Sequence, residues 1–309
     1  MAVEAPRLLI LRALGLGDLL TAVPALRALA RSFPGHRRVL AAPRALRPLV
    51  DLVGAVDEIA DVRGLATPLP RGADIAVNLH GRGPQSHRLL VEARPRRLIA
   101  FHHDQIPLTD GMPEWRPGEH EVSRWCRLLS SAGVAADPSD LRLAHPEGEP
   151  PEVARGAVLI HPGAASEARR WPAERWAAVA RAQIAAGRHV AVTGGPEEVE
   201  LARAVASKAG LADDAVLAGR TDLAHLARAV AAADRIACGD TGIAHLATAL
   251  GTPSVVLFGP TPPSEWGPPA HSARHRALWS GGRGDPHAAR PDPGLLEIEP
   301  ETVISALGA

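Results

Sequence analysis

The residues best placed to do chemistry lie in the stretch 235–269, RIACGDTGIAHLATALGTPSVVLFGPTPPSEWGPP. Residues 235–238 read as a short buried strand, and Gly239-Asp240-Thr241-Gly242 as a tight turn carrying N-cap residues. Residues 243–250 read as a small helix stopped by Gly251. Residues 254–258 are the next buried strand, before Gly259-Pro260-Thr261-Pro262-Pro263 breaks the chain. Two such strands would end together at the edge where open α/β sheets bind ligands. The chemistry predicted there is anion binding, because a helix N-terminus presents free N–H groups and favours negative charge. Gly242 lets a ligand approach the backbone, and Thr241 and His245, four apart, share a helix face.

Other polar residues sit at similar strand ends. Asp18 follows the strand 8–11 and the loop Leu14-Gly15-Leu16-Gly17, and by itself reads as a helix N-cap. Gly15 and Gly17 are followed by Leu20, so the dinucleotide fingerprint G-x-G-x-x-G is broken and a dehydrogenase is disfavoured. The turn His161-Pro162-Gly163-Ala164 lacks hydroxyl side chains, but its backbone N–H groups suit a phosphate. Arg169 and Arg170 precede Trp171-Pro172, where a helix begins; they are either a solvated pair or a cation for a bound anion. Glu197 and Glu198 open a helix after Gly194-Gly195, which the helix dipole alone would explain. Asn78, His80, Gly81 and Ser86 cluster at the end of a strand in the first half.

The elements that must hold these residues alternate between apolar runs of four to six residues and longer helical patterns. Strands are expected at 8–11, 39–42, 75–79 and 98–101, and then at 158–161, 189–193, 216–218 and 236–238. Helices are expected at 44–53, 86–93, 120–132, 172–186, 196–209, 223–233 and 301–307. The Pro- and acid-rich segment 134–151 reads as a linker, giving domains 1–150 and 151–309. The expected class is α/β, with two Rossmann-like domains of parallel sheet. A periplasmic-type binding protein would show the same pattern.

Composition narrows the function. The chain has 309 residues, 46% of them apolar, enough for two cores. Aromatics are 3% and Tyr is absent, so the cores must rest on Ala, Val, Leu and Ile. Thirty-four basic and 34 acidic residues balance, which provides no global field for nucleic acid. Lys208 is the only lysine. Cys126 and Cys238 are read as buried free thiols, and metal-ligand spacing and an Asp-x-Asp motif are absent, so no metal is expected. No export signal or apolar run of eighteen occurs, and a cytoplasmic location is expected.

The stretch around Asp240 resembles the C-terminal motif of the ADP-heptose:lipopolysaccharide heptosyltransferase family (glycosyltransferase family 9). The matching residues are Asp240-Thr241-Gly242, His245, Ala247, Ala249-Leu250-Gly251, Pro253 and Phe258-Gly259-Pro260-Thr261. Three more blocks match in order: residues 8–29 with Gly17-Asp18, His161-Pro162-Gly163 with Arg169-Arg170-Trp171-Pro172, and Thr193-Gly194-Gly195-Pro196-Glu197-Glu198. The resemblance implies a GT-B fold, two domains facing across a cleft, and a metal-independent, inverting sugar transfer from a nucleotide-diphosphate donor. It implies Asp18 as general base and Arg169, where lysine is more usual, as the cation for the departing diphosphate. It implies donor contacts at Gly163, Ala164, Glu198, Asp240, Thr241, Gly242 and His245, with Glu198 on the ribose hydroxyls. Acceptor contacts are expected at Gly17, Asn78, His80 and Ser86. The last helix is expected to pack back toward the N-terminal domain. No cofactor is implied. The donor class is exemplified by ADP-heptose and the acceptor is a glycan or glycolipid, through which the protein would touch the inner face of the membrane. A nucleotide-sugar 2-epimerase of the same architecture and a non-catalytic two-domain sugar-binding protein are the alternatives. Turnover without acceptor would favour the first and binding without turnover the second.

Overall fold

A computed structural model describes residues 5–308, and its contacts divide the chain into two units after Leu141. In the first unit the chain runs β1 (Arg7–Leu11), α1 (Leu16–Thr21), α2 (Val23–Ser32), β2 (Arg37–Ala42), α3 (Arg47–Val53), β3 (Glu58–Asp61), β4 (Ile75–Asn78), α4 (Gln85–Glu92), β5 (Arg97–Ile99) and α5 (Glu121–Ser131). All five strands are parallel, in the order β3-β2-β1-β4-β5. Leu8 to Leu11 of β1 are fully buried, as a strand covered on both faces requires. The chain winds outward from β1 to β3 and then returns to β4 beside β1. That reversal brings the C-terminal ends of β1 and β4 together, with Leu11 beside Asn78 in the register. Ligands bind outside such a reversal.

The second unit runs β6 (Val158–His161), α6 (Ala173–Ala185), β7 (Val190–Val192), α7 (Val199–Ala209), α8 (Leu223–Ala232), β8 (Arg235–Gly239), α9 (Gly242–Leu250), β9 (Ser254–Leu257), α10 (Pro263–Trp266), β10 (His275–Leu278), α11 (Pro293–Leu296) and α12 (Pro300–Leu307). Its strands are again parallel, in the order β10-β9-β8-β6-β7. The expected strand 216–218 is reduced to one parallel bridge between Val192 and Val216, pinched between a 3-10 turn at Asp213–Ala215 and a left-handed Gly219. Here the reversal falls between β6 and β8, where His161 pairs with Cys238.

The cores follow the composition. In the second unit Ala177, Ala180, Ala202 and Ala206 pack with Val158, Ile160 and Val192, and Trp171 and Trp176 meet edge to face at 4.9 Å. The final helix, for which the resemblance implied a return to the first domain, places Val303 and Leu307 in this same core. The period of its apolar residues is satisfied by the second unit's own sheet. Lys208 lies in the last turn of α7, where a cation suits the helix dipole, and its Nζ is 3.2 Å from Glu174 Oε1. Cys126 and Cys238 are free and buried. Among the described residues no helix is long and apolar enough to cross a membrane.

Candidate functional site

In the first unit the loop after β1 carries Asp18, which is the third residue of α1 rather than its N-cap. Gly15 is the N-cap, and the Gly15 N–H bonds the Asp18 carboxylate. Gly17 lies beside it in the same first turn. Pro24 sits in the first turn of α2, where its missing N–H costs nothing. Arg12, 1% exposed, directly follows the strand and organises the loop. Its Nε donates to the Asp18 carbonyl at 2.9 Å and its Nη1 to the Leu79 carbonyl beyond β4. Its Nη2 reaches Asp18 Oδ1 at 3.3 Å, Thr21 Oγ1 at 3.1 Å and Glu121 Oε1 at 2.9 Å. Burial raises the Asp18 pKa and the Glu121 charge adds to this, while Arg12 opposes both. A carboxylate with raised proton affinity that keeps 28% of its side chain exposed is suited to accept a proton from a ligand.

At the end of β4, Asn78 is fully buried. Its Nδ2 donates to Ser86 Oγ at 2.9 Å and meets His87 Nδ1 at 3.1 Å, and its Oδ1 accepts the His80 N–H at 2.9 Å. Ser86 is 3% exposed. Both were expected as acceptor contacts, but their polar groups are occupied inside the protein, fixing α4 and the turn after β4. His80 remains half-buried and open to a role. Burial, and then Arg12, push its pKa down to about 4, so it is neutral at neutral pH, and its buried Nδ1 has no hydrogen-bond partner. Arg12, Glu121 and His87 were not singled out in the sequence. An arginine directly after a buried apolar strand was the one available signal.

In the second unit the turn after β6 meets the turn after β7. His161 Nδ1 lies 3.0 Å from Thr193 Oγ1, and His161 Nε2 is 3.6 Å from Glu198 Oε2. Glu198 Oε2 accepts the Gly195 N–H at 2.7 Å. The carboxylate lies over Gly163, where a Cβ would come within 2.0 Å of Glu198 Oε1, so a larger residue there would displace the Glu198 carboxylate. Ala164 is buried and its carbonyl accepts from Arg170 Nε at 2.9 Å. Arg170 is thereby assigned to the turn, which leaves Arg169 as the cation of interest.

Arg169 reaches the end of β8. Its Nη1 donates to the Asp240 carbonyl at 3.2 Å and stands 3.8 Å from Asp240 Oδ2, while its buried Nε has no partner. Asp240 is 6% exposed, and burial pushes its pKa up to about 6 against the pull of Arg169. Thr241 is the N-cap of α9 but its side chain makes no capping bond, and Gly242 is the first helical residue. His245, one turn on, packs edge to face on Trp266 of α10 at 5.9 Å. A cation, an uncapped helix N-terminus and a glycine thus converge at the edge where the strand order reverses, a combination suited to a diphosphate. Among the described residues no group of three or more His, Cys, Asp or Glu is arranged to hold a metal ion.

Comparison with known proteins accords with this geometry. The profile of glycosyltransferase family 9 (heptosyltransferase) matches residues 112–290, more than half of the chain. A search of curated proteins found no match. The fold is shared with ADP-heptose lps heptosyltransferase II of E. coli, with TM-score 0.76, 21% identity and 97% of each chain covered. It is shared with a family 9 glycosyltransferase of Veillonella parvula, with TM-score 0.77, 22% identity and 99% and 97% covered. E. coli heptosyltransferase WaaC with ADP gives TM-score 0.73, 18% identity and 97% and 98% covered. These likenesses establish the fold as GT-B type, and the profile establishes the family: the chain belongs to glycosyltransferase family 9, the heptosyltransferases, and is a glycosyltransferase.

Proposed function

We propose that the chain transfers a heptose-like sugar from a nucleotide-diphosphate donor to a glycan or glycolipid acceptor, by an inverting displacement that needs no metal. The acceptor oxygen attacks the anomeric carbon on the face opposite the diphosphate, and the bond from that carbon to the leaving oxygen breaks. Asp18 takes the hydroxyl proton, and the electron pair leaves with the nucleoside diphosphate. Arg169 and the N-terminus of α9 meet the charge that develops on it. Gly242 allows the phosphates close to the backbone, and Gly163 and Ala164 line the neighbouring turn. Glu198 faces the donor's ribose hydroxyls and His245 supports the helix end. Asp240 does not touch the phosphates, since like charges repel; it holds Arg169 and the turn. His80 and Gly17 flank the acceptor.

The observation that carries the reading is the convergence of Arg169 on Asp240 at the uncapped start of α9. The dipole alone contributes roughly 0.3–1 kcal/mol to an anion there. One relative, E. coli heptosyltransferase WaaC, has been solved both with ADP and with ADP-2-deoxy-2-fluoro heptose, which makes ADP-heptose the first donor to test. Contact with the inner face of the membrane, from the cytoplasm, follows from a glycolipid acceptor. Asp18→Asn tests the reaction: turnover should fall on the order of 10²–10⁴-fold, with donor affinity unchanged in calorimetry. An Asn variant that keeps half its activity would leave Asp18 a purely structural member of α1.

A further inference from the structure

We propose that Glu121, at the start of α5, is a positioning residue for Asp18, acting through the Arg12 guanidinium nitrogen that both carboxylates share. The inference rests on Asp18 being the base. Arg12 bonds Glu121 more closely than Asp18, 2.9 Å against 3.3 Å from the same Nη2. Glu121 is itself fixed: its Oε1 accepts Trp125 Nε1 at 2.9 Å and its Oε2 accepts Arg124 Nη1. Arg124 in turn donates to the Glu119 carbonyl at 2.7 Å and lies 4.2 Å from the centre of the Trp115 ring. Arg12 lies 5.0 Å from the centre of the Trp125 ring. The result is a quartet of two cations and two anions in which three side chains are at most 8% exposed and only Asp18 reaches solvent.

That arrangement has a chemical purpose beyond packing. Buried ion pairs are poor sources of stability, since desolvation offsets their attraction. A lone buried arginine beside Asp18 would hold its carboxylate as a tight ion pair and weaken it as a base. Glu121 takes up part of that positive charge and adds its own repulsion, so Asp18 keeps a proton affinity suited to its task. The charged groups that act on Asp18 are Arg12, directly after β1, and Glu121 from α5, with Arg124 behind Glu121. His80, after β4, is held neutral and adds no charge. Because both carboxylates bond one nitrogen, their nearest oxygens are at most about 6 Å apart. At that separation the Glu121 charge disfavours a second negative charge on Asp18 and so raises its proton affinity.

The test is a titration of Asp18 by carbon-13 NMR of aspartate-labelled protein, assigned with Asp18→Asn, alongside the pH dependence of kcat. In the unaltered protein Asp18 should titrate above the ordinary aspartate range. Glu121→Gln should lower that midpoint and carry the acid limb of kcat down with it, with KM for the donor little changed. Glu121→Asp, which keeps the charge, should restore most of the shift. A Glu121→Gln variant that loses thermal stability while Asp18 titrates unchanged would reduce Glu121 to a structural residue and overturn the proposal. Should the Gln variant not fold, an ordinary midpoint for Asp18 in the unaltered protein overturns it equally. Failure of the base assignment looks different: the acid limb of kcat would not follow the NMR midpoint, while the effect of Glu121 on that midpoint would still be read directly.

Discussion

Replacing Asp240 by Asn should stabilise the protein while impairing it. Asp240 is 6% exposed, and its nearest cationic atom, Arg169 Nη1, stands 3.8 Å away, beyond a direct hydrogen bond. Burial without a full partner lifts its pKa from the usual 3.8 to about 6. In the folded state the carboxylate therefore binds its proton more tightly than in the unfolded chain. The stability this gives is complete below about pH 4 and is lost as pH rises through 6. At pH 8 the ionised carboxylate costs the fold about 3 kcal/mol, from some two units at 1.36 kcal/mol each. Asn keeps the shape and carries no charge, so Asp240→Asn should regain about that amount at pH 8 and almost nothing at pH 4. For a unit of this size the gain is roughly 6–12 °C in the thermal transition of the second unit. Scanning calorimetry of both proteins at the two pH values reads it directly. Turnover should fall in the same variant, because the negative charge that faces Arg169 across 3.8 Å is removed, while the Arg169 bond to the residue's backbone carbonyl remains. A variant no more stable at pH 8, or one with the same gain at both pH values, would refute the idea that a buried charge is stored here.

Arg169→Lys should keep much of the turnover and Arg169→Ala lose most of it, and dialysis against EDTA should leave activity intact. Equal losses in the two variants would make shape rather than charge decisive, and a strict need for magnesium or manganese would end the metal-independent reading. Gly163→Ala should drive Glu198 from its place and break its bond to the Gly195 N–H, costing roughly 1.5–3 kcal/mol in urea unfolding along with donor affinity. Unchanged stability there would mean that Glu198 has a second resting place. Gly242→Val should weaken nucleoside diphosphate binding in calorimetry; unchanged affinity in a folded variant would move the diphosphate elsewhere.

The alternation of strands and helices was legible because most strands are buried on both faces and read as apolar runs. β3 and β10 were missed for the complementary reason: EIAD and HRAL are edge strands, half exposed and polar, with no run to detect. The turns at the two strand-order reversals announced themselves through Gly17-Asp18, Gly163 and Asp240-Thr241-Gly242, since turn and cap residues are local signals. What stayed hidden was long-range. Glu121 is 109 positions from Arg12, and nothing in either neighbourhood marks them as partners. Asn78 and Ser86 were candidate ligand contacts because they lie at the end of a strand; only the fold shows that they bond each other.

The arginine bias of the chain has a practical consequence at Lys208. Its side chain is 46% exposed in the last turn of α7. Helices that cross between parallel strands run back along the sheet, so this end of α7 lies at the edge opposite the turns after β6 and β8. Among the side chains of this sequence, that of Lys208 alone offers an amine to an amine-directed dye or surface linker. The binding edge of the second unit would face away from the attachment point. Attached through that side chain, the protein would present this edge outward for single-molecule or sensor measurements.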